Sequence, residues 1–147
     1  MASYLMDTNV LLRAVQKVAP EHALVVSAIA QITARGEAIY IAPQILIEFW
    51  VVATRPAEVN GFGWDPVFVG AEINRILSQF PLLDERPTIF NRWFKLVSSR
   101  EIKGRKAHDV RLVALMQSKR VTHLLTFNVG DFRGYTNIIP VHPDEIN

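Results

Sequence analysis

Short apolar runs alternate along the chain with longer segments in which apolar positions recur every three or four residues. The short runs predict buried β-strands and the longer segments predict helices. The predicted strands are SYLMD at residues 3–7, AIYIAP, THLLTF and NIIPV, and FPLL is a candidate for one more. The predicted helices span residues 8–15, 21–35, 43–55, 66–78, 87–99 and 108–118.

The alternation of strands and helices predicts the fold class. Strands separated by helices form βαβ units, whose parallel strands are buried beneath helices on both faces of a sheet. We therefore expect an α/β domain that covers residues 1–147, because no repeat or linker-like segment interrupts the pattern. In such folds, ligands bind at the carboxyl ends of the strands.

Composition narrows the possible classes of protein. Hydrophobic residues make up 50% of the 147 positions and charged residues 20%, a globular rather than a disordered balance. The absence of cysteine excludes disulfide scaffolds and thiolate metal sites. No apolar run approaches the roughly 18 residues of a membrane span. We expect a soluble cytoplasmic protein that has no membrane partner.

Charge is distributed unevenly. The net charge is only +2, but residues 92–120 contain nine basic residues and two acidic ones, Glu101 and Asp109. Such a basic segment can bind a polyanion, or it can form a solvated helix face that keeps the protein soluble. Charge alone favours the solvated face.

Two acidic residues follow predicted strands. Asp7 ends the first strand, and Asp131 lies in NVGDF, directly after THLLTF. Taken singly, Asp7 could cap a helix and Asp131 could serve a turn. If both strands are central and parallel, Asp7, Asn128 and Asp131 lie along one edge of the sheet.

Two further acidic residues lie on predicted helices. Glu48 is the only charged residue between Pro43 and Thr54, in a helix that is expected to be buried nearly all round. A carboxylate there requires a cation, a proton or an arginine partner. Asp109 begins a helix and shares a face with Leu112 and Val113, so we expect it to point towards the core.

Four converging carboxylates would repel one another strongly unless a cation were present. Oxygen-only ligands without cysteine or clustered histidine favour Mg²⁺ or Mn²⁺ over Zn²⁺. Four neutral polar residues near the predicted site can orient carboxylates and waters. They are Thr8, Asn9, Thr126 and Asn128.

The order of these motifs resembles the PIN-domain family, and in particular the VapC-like toxins of type II toxin–antitoxin systems. The resemblance rests on MDTNVLL, the isolated Glu48, HDVRLVALM and TFNVGDF, and it covers nearly the full length. It implies a three-layer α/β/α sandwich with a central, mainly parallel sheet. The acidic residues that it implies as both catalytic and metal-binding are Asp7, Glu48, Asp109 and Asp131.

The same resemblance implies an activity and partners. The activity is hydrolysis of RNA phosphodiester bonds by a Mg²⁺-dependent endoribonuclease in which Mn²⁺ can substitute. The implied partners are RNA, a VapB-like antitoxin and a second copy of the chain. Thr8, Asn9, Thr126 and Asn128 match the polar companions of the acidic residues.

Several alternatives stay open. A PIN module can also bind RNA or protein without catalysis. Arg105 and Lys106 could hold the RNA backbone or belong to a solvated loop. Phe62 and Trp64 could stack on RNA, contact another protein or fold back onto the core, and the last is slightly favoured.

Overall fold

The computed structural model describes all 147 residues, Met1–Asn147. Four strands and six α-helices follow one another along the chain, with three short 3₁₀ turns between or after them. Their bounds are β1 Ser3–Met6, α1 Thr8–Val15, α2 His22–Ala34, β2 Ala38–Tyr40, α3 Pro43–Thr54, α4 Pro66–Gln79, α5 Thr88–Ser99, α6 Lys106–Lys119, β3 His123–Leu125 and β4 Ile139–Val141.

The strands form one sheet in the order β2-β1-β3-β4, and all three pairings are parallel. The connection from β1 to β2 and the connection from β2 to β3 run in opposite directions along the sheet. Because such crossovers are right-handed, their helices cover opposite faces. The predicted three-layer α/β/α sandwich with a parallel sheet is confirmed.

The core lies between the sheet and its helices. Thirty-three buried apolar residues form one cluster. Leu5 and Leu124 contribute from the two central strands, and Phe49 and Met116 from helices α3 and α6; all four are fully buried. No helix has both the length and the apolar character needed to cross a membrane.

The helices match the sequence-based bounds to within two residues, and α1 matches them at both ends. The largest difference is at α6, which begins at Lys106 instead of His108, so Asp109 lies inside the first turn. The prediction of a strand at FPLL was wrong. Only Leu82 forms an isolated parallel bridge, with Ile41, and Pro81 has no N–H with which to extend the pairing.

Helix α3 is less buried than its sequence suggests. Ile47, Trp50 and Val51 are 64%, 40% and 49% exposed, whereas Ile45 and Phe49 are fully buried. The helix packs against α1 and α4, and its remaining side faces solvent. The prediction of a helix buried nearly all round was therefore wrong, because apolar composition alone does not distinguish a core face from an uncovered one.

The segment between α3 and α4 folds back onto the core. The backbone N–H groups of Phe62 and Trp64 donate to the carbonyls of Val52 and Ala53 at 3.0 and 2.9 Å. Both aromatic side chains pack against the core cluster, as the sequence slightly favoured. Asp65 then caps α4 by accepting a hydrogen bond of 2.8 Å from the backbone N–H of Val67.

Candidate active site

Asp7 stands where β1 passes into α1. Its Oδ1 accepts a hydrogen bond of 2.8 Å from the backbone N–H of Thr8, so Asp7 itself caps the helix. Its Oδ2 accepts a hydrogen bond of 2.7 Å from the hydroxyl of Thr126. The side chain is nearly buried, with Asp7 only 7% exposed.

Burial raises the pKa of Asp7 to about 6, against an ordinary value of 3.8. The hydrogen bonds from Thr126 and Thr8 act in the opposite direction, because they stabilise the carboxylate. The negative charges of Asp109 and Glu48 raise the pKa further. Asp7 is thus a desolvated carboxylate with two other acidic groups in electrostatic range and no cationic side chain in contact.

Thr126 is fully buried at the end of β3. Its backbone N–H donates to the carbonyl of Val141 at 2.9 Å, which holds it against β4. Its hydroxyl also accepts a hydrogen bond of 3.0 Å from the backbone N–H of Asn128. The hydroxyl therefore links Asp7 to the turn that follows β3. The side chains of Asn128 and Asn9 are exposed and make no hydrogen bond.

Glu48 is joined to the same network through Thr8. Its Oε2 accepts a hydrogen bond of 2.7 Å from the Thr8 hydroxyl, and its Oε1 accepts one of 3.2 Å from Gln44. No arginine pairs with it, so the alternative of a buried salt bridge does not apply. Thr8 donates to Asp7 through its N–H and to Glu48 through its hydroxyl, which fixes the two carboxylates relative to each other.

Asp109 is half-buried in the first turn of α6, and its side chain makes no hydrogen bond. Desolvation raises its pKa, as do the charges of Asp131 and Glu48, whereas Lys106 and His108 lower it. Asp109 does not cap the helix, since Arg105 occupies the cap position. Its carboxylate is therefore held towards the other acidic residues by the helix alone.

Asp131 lies in a 3₁₀ turn, Val129–Phe132, directly after β3. It is exposed, and its side chain makes no hydrogen bond. The turn packs against α6, and the charge of Asp131 raises the pKa of Asp109 on that helix. The turn serves to bring an unpaired carboxylate to the carboxyl end of the sheet.

These couplings link all four predicted acidic residues at one edge of the sheet. As the side chains stand, however, no three Asp, Glu or His groups are placed closely enough to hold a metal ion. The oxygens of Asp7 and Glu48 instead accept hydrogen bonds from Thr8, Thr126 and Gln44. By donor chemistry, an all-oxygen group with a desolvated carboxylate suits a hard divalent cation.

The two basic residues predicted to contact RNA are near this edge. Arg105 and Lys106 are both exposed at the start of α6. Lys106 lowers the pKa of Asp109, so its ammonium group lies within electrostatic range of that carboxylate. Neither side chain makes a hydrogen bond or an ion pair, and their role stays a prediction.

Sequence reasoning missed Gln44 and Arg111. The Gln44 amide donates to Glu48 and, at 2.9 Å, to the carbonyl of His108, which ties α3 to α6. Arg111 donates at 3.2 Å to Gln44 Oε1 and also pairs with Glu85. One signal was available, because Gln44 lies four residues before Glu48 and therefore on the same side of the helix.

Comparison with known proteins identifies the fold. The PIN domain family model matches residues 4–135. A search of curated proteins finds no match. Among solved structures, VapBC2 from Rickettsia felis bound to a promoter DNA fragment is 17% identical, with a TM-score of 0.70 over 95% of this chain and 97% of that chain.

Two other solved structures have the same fold over nearly their full length, at low sequence identity. VapBC-1 from Haemophilus influenzae is 17% identical, with a TM-score of 0.71 over 96% of this chain and 98% of that one. VapC20 from Mycobacterium tuberculosis, described as a sarcin-ricin loop cleaving toxin, is 14% identical, with a TM-score of 0.65 over 94% of this chain and 100% of that one. The family model spans most of the sequence, so the chain belongs to the PIN domain family.

Proposed function

We propose that the chain is a Mg²⁺-dependent endoribonuclease, able to use Mn²⁺, that acts as the toxin of a toxin–antitoxin pair. One observation carries the proposal: a PIN fold brings Asp7, Glu48, Asp109 and Asp131 to one edge, with Asp7 desolvated and without a cationic partner. Burying a charge in this way is unfavourable unless a ligand compensates it. A module that only binds RNA or protein would not need such an arrangement.

Asp7, Asp109 and Asp131 would hold the cation directly or through water, and Glu48 would be a further ligand or would orient the attacking water. When bound, the cation lowers the pKa of water and neutralises charge on the phosphoryl and leaving oxygens. Thr126 and the Thr8 N–H orient both oxygens of Asp7. The chain needs no catalytic histidine for this chemistry.

RNA is the proposed substrate. The structurally similar VapC20 is described as cleaving the sarcin-ricin loop, which is an RNA. In this chain, Arg105 and Lys106 present unpaired positive charges beside the acidic edge. We propose that they contact the phosphate backbone, which positions the strand without reading its sequence.

A VapB-like antitoxin is the proposed protein partner. The solved structures from R. felis and H. influenzae are VapBC assemblies. This chain has an open groove of about 640 Å³ between α1, α2 and α4, with a mostly apolar lining that includes Val15, Val26 and Phe68. Val26 and Phe68 are 45% and 47% exposed, and Glu72 contributes a buried carboxylate. Glu72 is already paired with Arg75 at 3.0 Å, so a partner helix with an apolar face would match this lining.

Metal binding and RNA cleavage test the proposal together. Calorimetric titration with Mn²⁺ is expected to show about one or two sites per chain. Mg²⁺ is expected to raise the unfolding temperature, since a ligand that binds only the folded state stabilises it. RNA oligonucleotides are expected to be cleaved with Mg²⁺ and to stay intact with a chelator. A homodimer stays a prediction, and sedimentation of the purified chain measures it.

Asp7→Asn is the decisive variant, and Glu58→Gln is its control. Glu58 is exposed and makes no hydrogen bond or ion pair, so its replacement also removes one negative charge but leaves the acidic edge intact. We expect Asp7→Asn to lose metal binding and cleavage and Glu58→Gln to retain both. If Asp7→Asn retains both, the catalytic proposal is wrong. If the wild type binds RNA without cleaving it, the chain is a non-catalytic binding module instead.

A further inference from the structure

Helix α5 presents aromatic rings to solvent. Phe90 and Phe94 are 61% and 56% exposed. Their ring centroids are 6.1 Å apart and their planes differ by only 13°. Trp93, half-buried on the same helix, has its ring centroid 5.7 Å from that of Phe90. Contiguous exposed aromatic rings of this kind mark interaction surfaces more often than isolated apolar residues do.

This aromatic surface, defined by Phe90, Trp93 and Phe94, adjoins the acidic edge. The indole N–H of Trp93 donates at 2.8 Å to the carbonyl of Ala107, two residues before Asp109. A depression of about 390 Å³ lies between Phe90, Trp93 and Arg111. Hydrogen bonds continue from Arg111 to Gln44 and from Gln44 to Glu48. The surface and the carboxylates are thus neighbours.

The surroundings of the rings are cationic. Between residues 86 and 106 the chain has seven basic residues and one acidic residue, Glu101. Arg86, Arg111 and Glu85 line the depression beside Phe90, where Glu85 pairs with Arg111 and leaves Arg86 unpaired, and Arg92 and Lys95 are exposed on α5. An apolar protein partner would have to desolvate these cations, which is unfavourable without matching acidic groups. A polyanion gains from the same charges.

We propose that Phe90, Trp93 and Phe94 form a stacking surface for unpaired bases of single-stranded RNA, next to the acidic edge. Every base has a π-face, so stacking tolerates any sequence, while the basic side chains hold the phosphates. A duplex does not offer free base faces, so the surface selects loops and single strands. The inference deepens the proposed ribonuclease function. It rests on that function for the statement that the bound RNA continues from the aromatic surface to the acidic edge.

Binding without cleavage tests this surface. Fluorescence anisotropy is measured with labelled single-stranded RNA in the presence of a chelator, with a blunt duplex of the same sequence as the comparison. We expect Phe90→Ala/Phe94→Ala to weaken single-strand binding by about tenfold or more, as loss of base stacking does elsewhere. Weak duplex binding is expected to change little. In a Trp50→Phe/Trp64→Phe background, where Trp93 is the remaining tryptophan, the fluorescence is expected to change on addition of single strand.

Two controls separate stacking from other effects. Phe90→Tyr/Phe94→Tyr keeps aromatic faces and is expected to bind like the wild type. Val67→Ala removes an exposed apolar side chain from α4, outside the groove proposed for the antitoxin, and is also expected to leave RNA affinity unchanged. Arg92→Gln/Lys95→Gln is expected to reduce the salt dependence of binding, whereas the double alanine variant retains it, because stacking releases few counterions.

The inference is overturned if Phe90→Ala/Phe94→Ala binds single-stranded RNA as tightly as the wild type does. Conversion of a wild-type dimer into a monomer by the same variant, with RNA affinity unchanged, also overturns it and assigns the surface to a protein interface. Failure of the proposed function is distinguishable: the wild type would then cleave no RNA, yet Phe90→Ala/Phe94→Ala would still weaken single-strand binding.

Discussion

Thr126 and Asp7 are 119 residues apart in the chain, and the hydroxyl of one donates to the carboxylate of the other at 2.7 Å. The contact exists because β1 and β3 are parallel neighbours in register, with Met6 opposite Leu125. The residues that follow these two strands necessarily emerge side by side. The same hydroxyl accepts from the N–H of Asn128, so its proton is committed to Asp7 and its orientation is fixed.

Replacing Thr126 with valine keeps its shape and removes the hydroxyl. Both a carboxylate oxygen and a backbone N–H then lose a buried partner, which we expect to lower the free energy of unfolding by about 1–3 kcal/mol. The pKa of Asp7 is expected to rise further, because the Thr126 hydrogen bond holds it down. The acidic limb of the cleavage-rate profile against pH should therefore move to higher pH.

Thr126→Ser is the matched control, since it retains the hydroxyl and loses only a methyl group. We expect its acidic limb to coincide with that of the wild type. An unchanged profile in Thr126→Val would show that the hydrogen bond does not tune Asp7.

Asp7 shows how much of the candidate site could be predicted from the sequence. The position of Asp7 between a strand and a helix suggested either a helix cap or part of a functional site. In the structure, Asp7 Oδ1 caps the helix and Oδ2 accepts a hydrogen bond from the Thr126 hydroxyl. Strand order made the meeting of Asp7 with the β3 turn predictable. Thr8 does not cap the helix with its side chain, because its hydroxyl donates to Glu48.

The pKa of Asp7 also predicts how the free energy of unfolding depends on pH when no metal is bound. Its pKa is about 6 in the folded chain and 3.8 as an ordinary carboxyl, so the folded state binds the proton more tightly. The free energy of unfolding therefore falls as pH rises from about 4 to about 6. The difference between the two pKa values corresponds to about 3 kcal/mol, all of it expressed at neutral pH.

Asp7→Asn removes that ionisation. In chelator at neutral pH, we expect the variant to unfold at a higher temperature than the wild type, by up to the several degrees that about 3 kcal/mol represents. Below pH 4 the difference should vanish, because the wild-type carboxyl is then protonated in both states. Thermal unfolding followed by circular dichroism across pH measures it. A variant less stable than the wild type at neutral pH would contradict the pKa assigned to Asp7.

Asp131 provides a test in which metal binding should change but stability without metal should not, since it is exposed and its side chain makes no hydrogen bond. We expect Asp131→Asn to change the free energy of unfolding without metal by no more than about 0.5 kcal/mol. Its stabilisation by Mg²⁺ and its RNA cleavage are expected to fall sharply, if Asp131 holds the cation. Titrating Mg²⁺ against the unfolding temperature separates the two effects. Stabilisation equal to that of the wild type would remove Asp131 from the metal site.

Other parts of the structure could not be read from the sequence. The hydrophobic sequence of α3 does not reveal that Ile47 and Val51 are exposed to solvent, because the burial of each side chain depends on where α1 and α4 pack. The link from Gln44 to His108 depends on the relative placement of α3 and α6. Such contacts between elements distant in the chain are set by tertiary packing, which local periodicity does not encode.

Gly61 provides a test of the turn between α3 and α4. Asn60 has a φ of 67°, and the N–H of Gly61 donates at 3.0 Å to the carbonyl of Pro56. A Cβ on Gly61 would lie 1.8 Å from the carbonyl oxygen of Arg55, far inside any contact distance. The backbone of the turn would have to move.

We therefore expect Gly61→Ala to lower the free energy of unfolding by about 1–3 kcal/mol, the usual range for overpacking. Gly70→Ala is the matched control, because a Cβ there meets nothing within 4 Å and the residue lies inside α4. It should stabilise the chain by about 0.5–1 kcal/mol, since alanine is the better helix former. Urea unfolding of both variants measures the difference. Equal stability of the two would show that the Arg55 carbonyl yields freely and that the turn is not tightly packed.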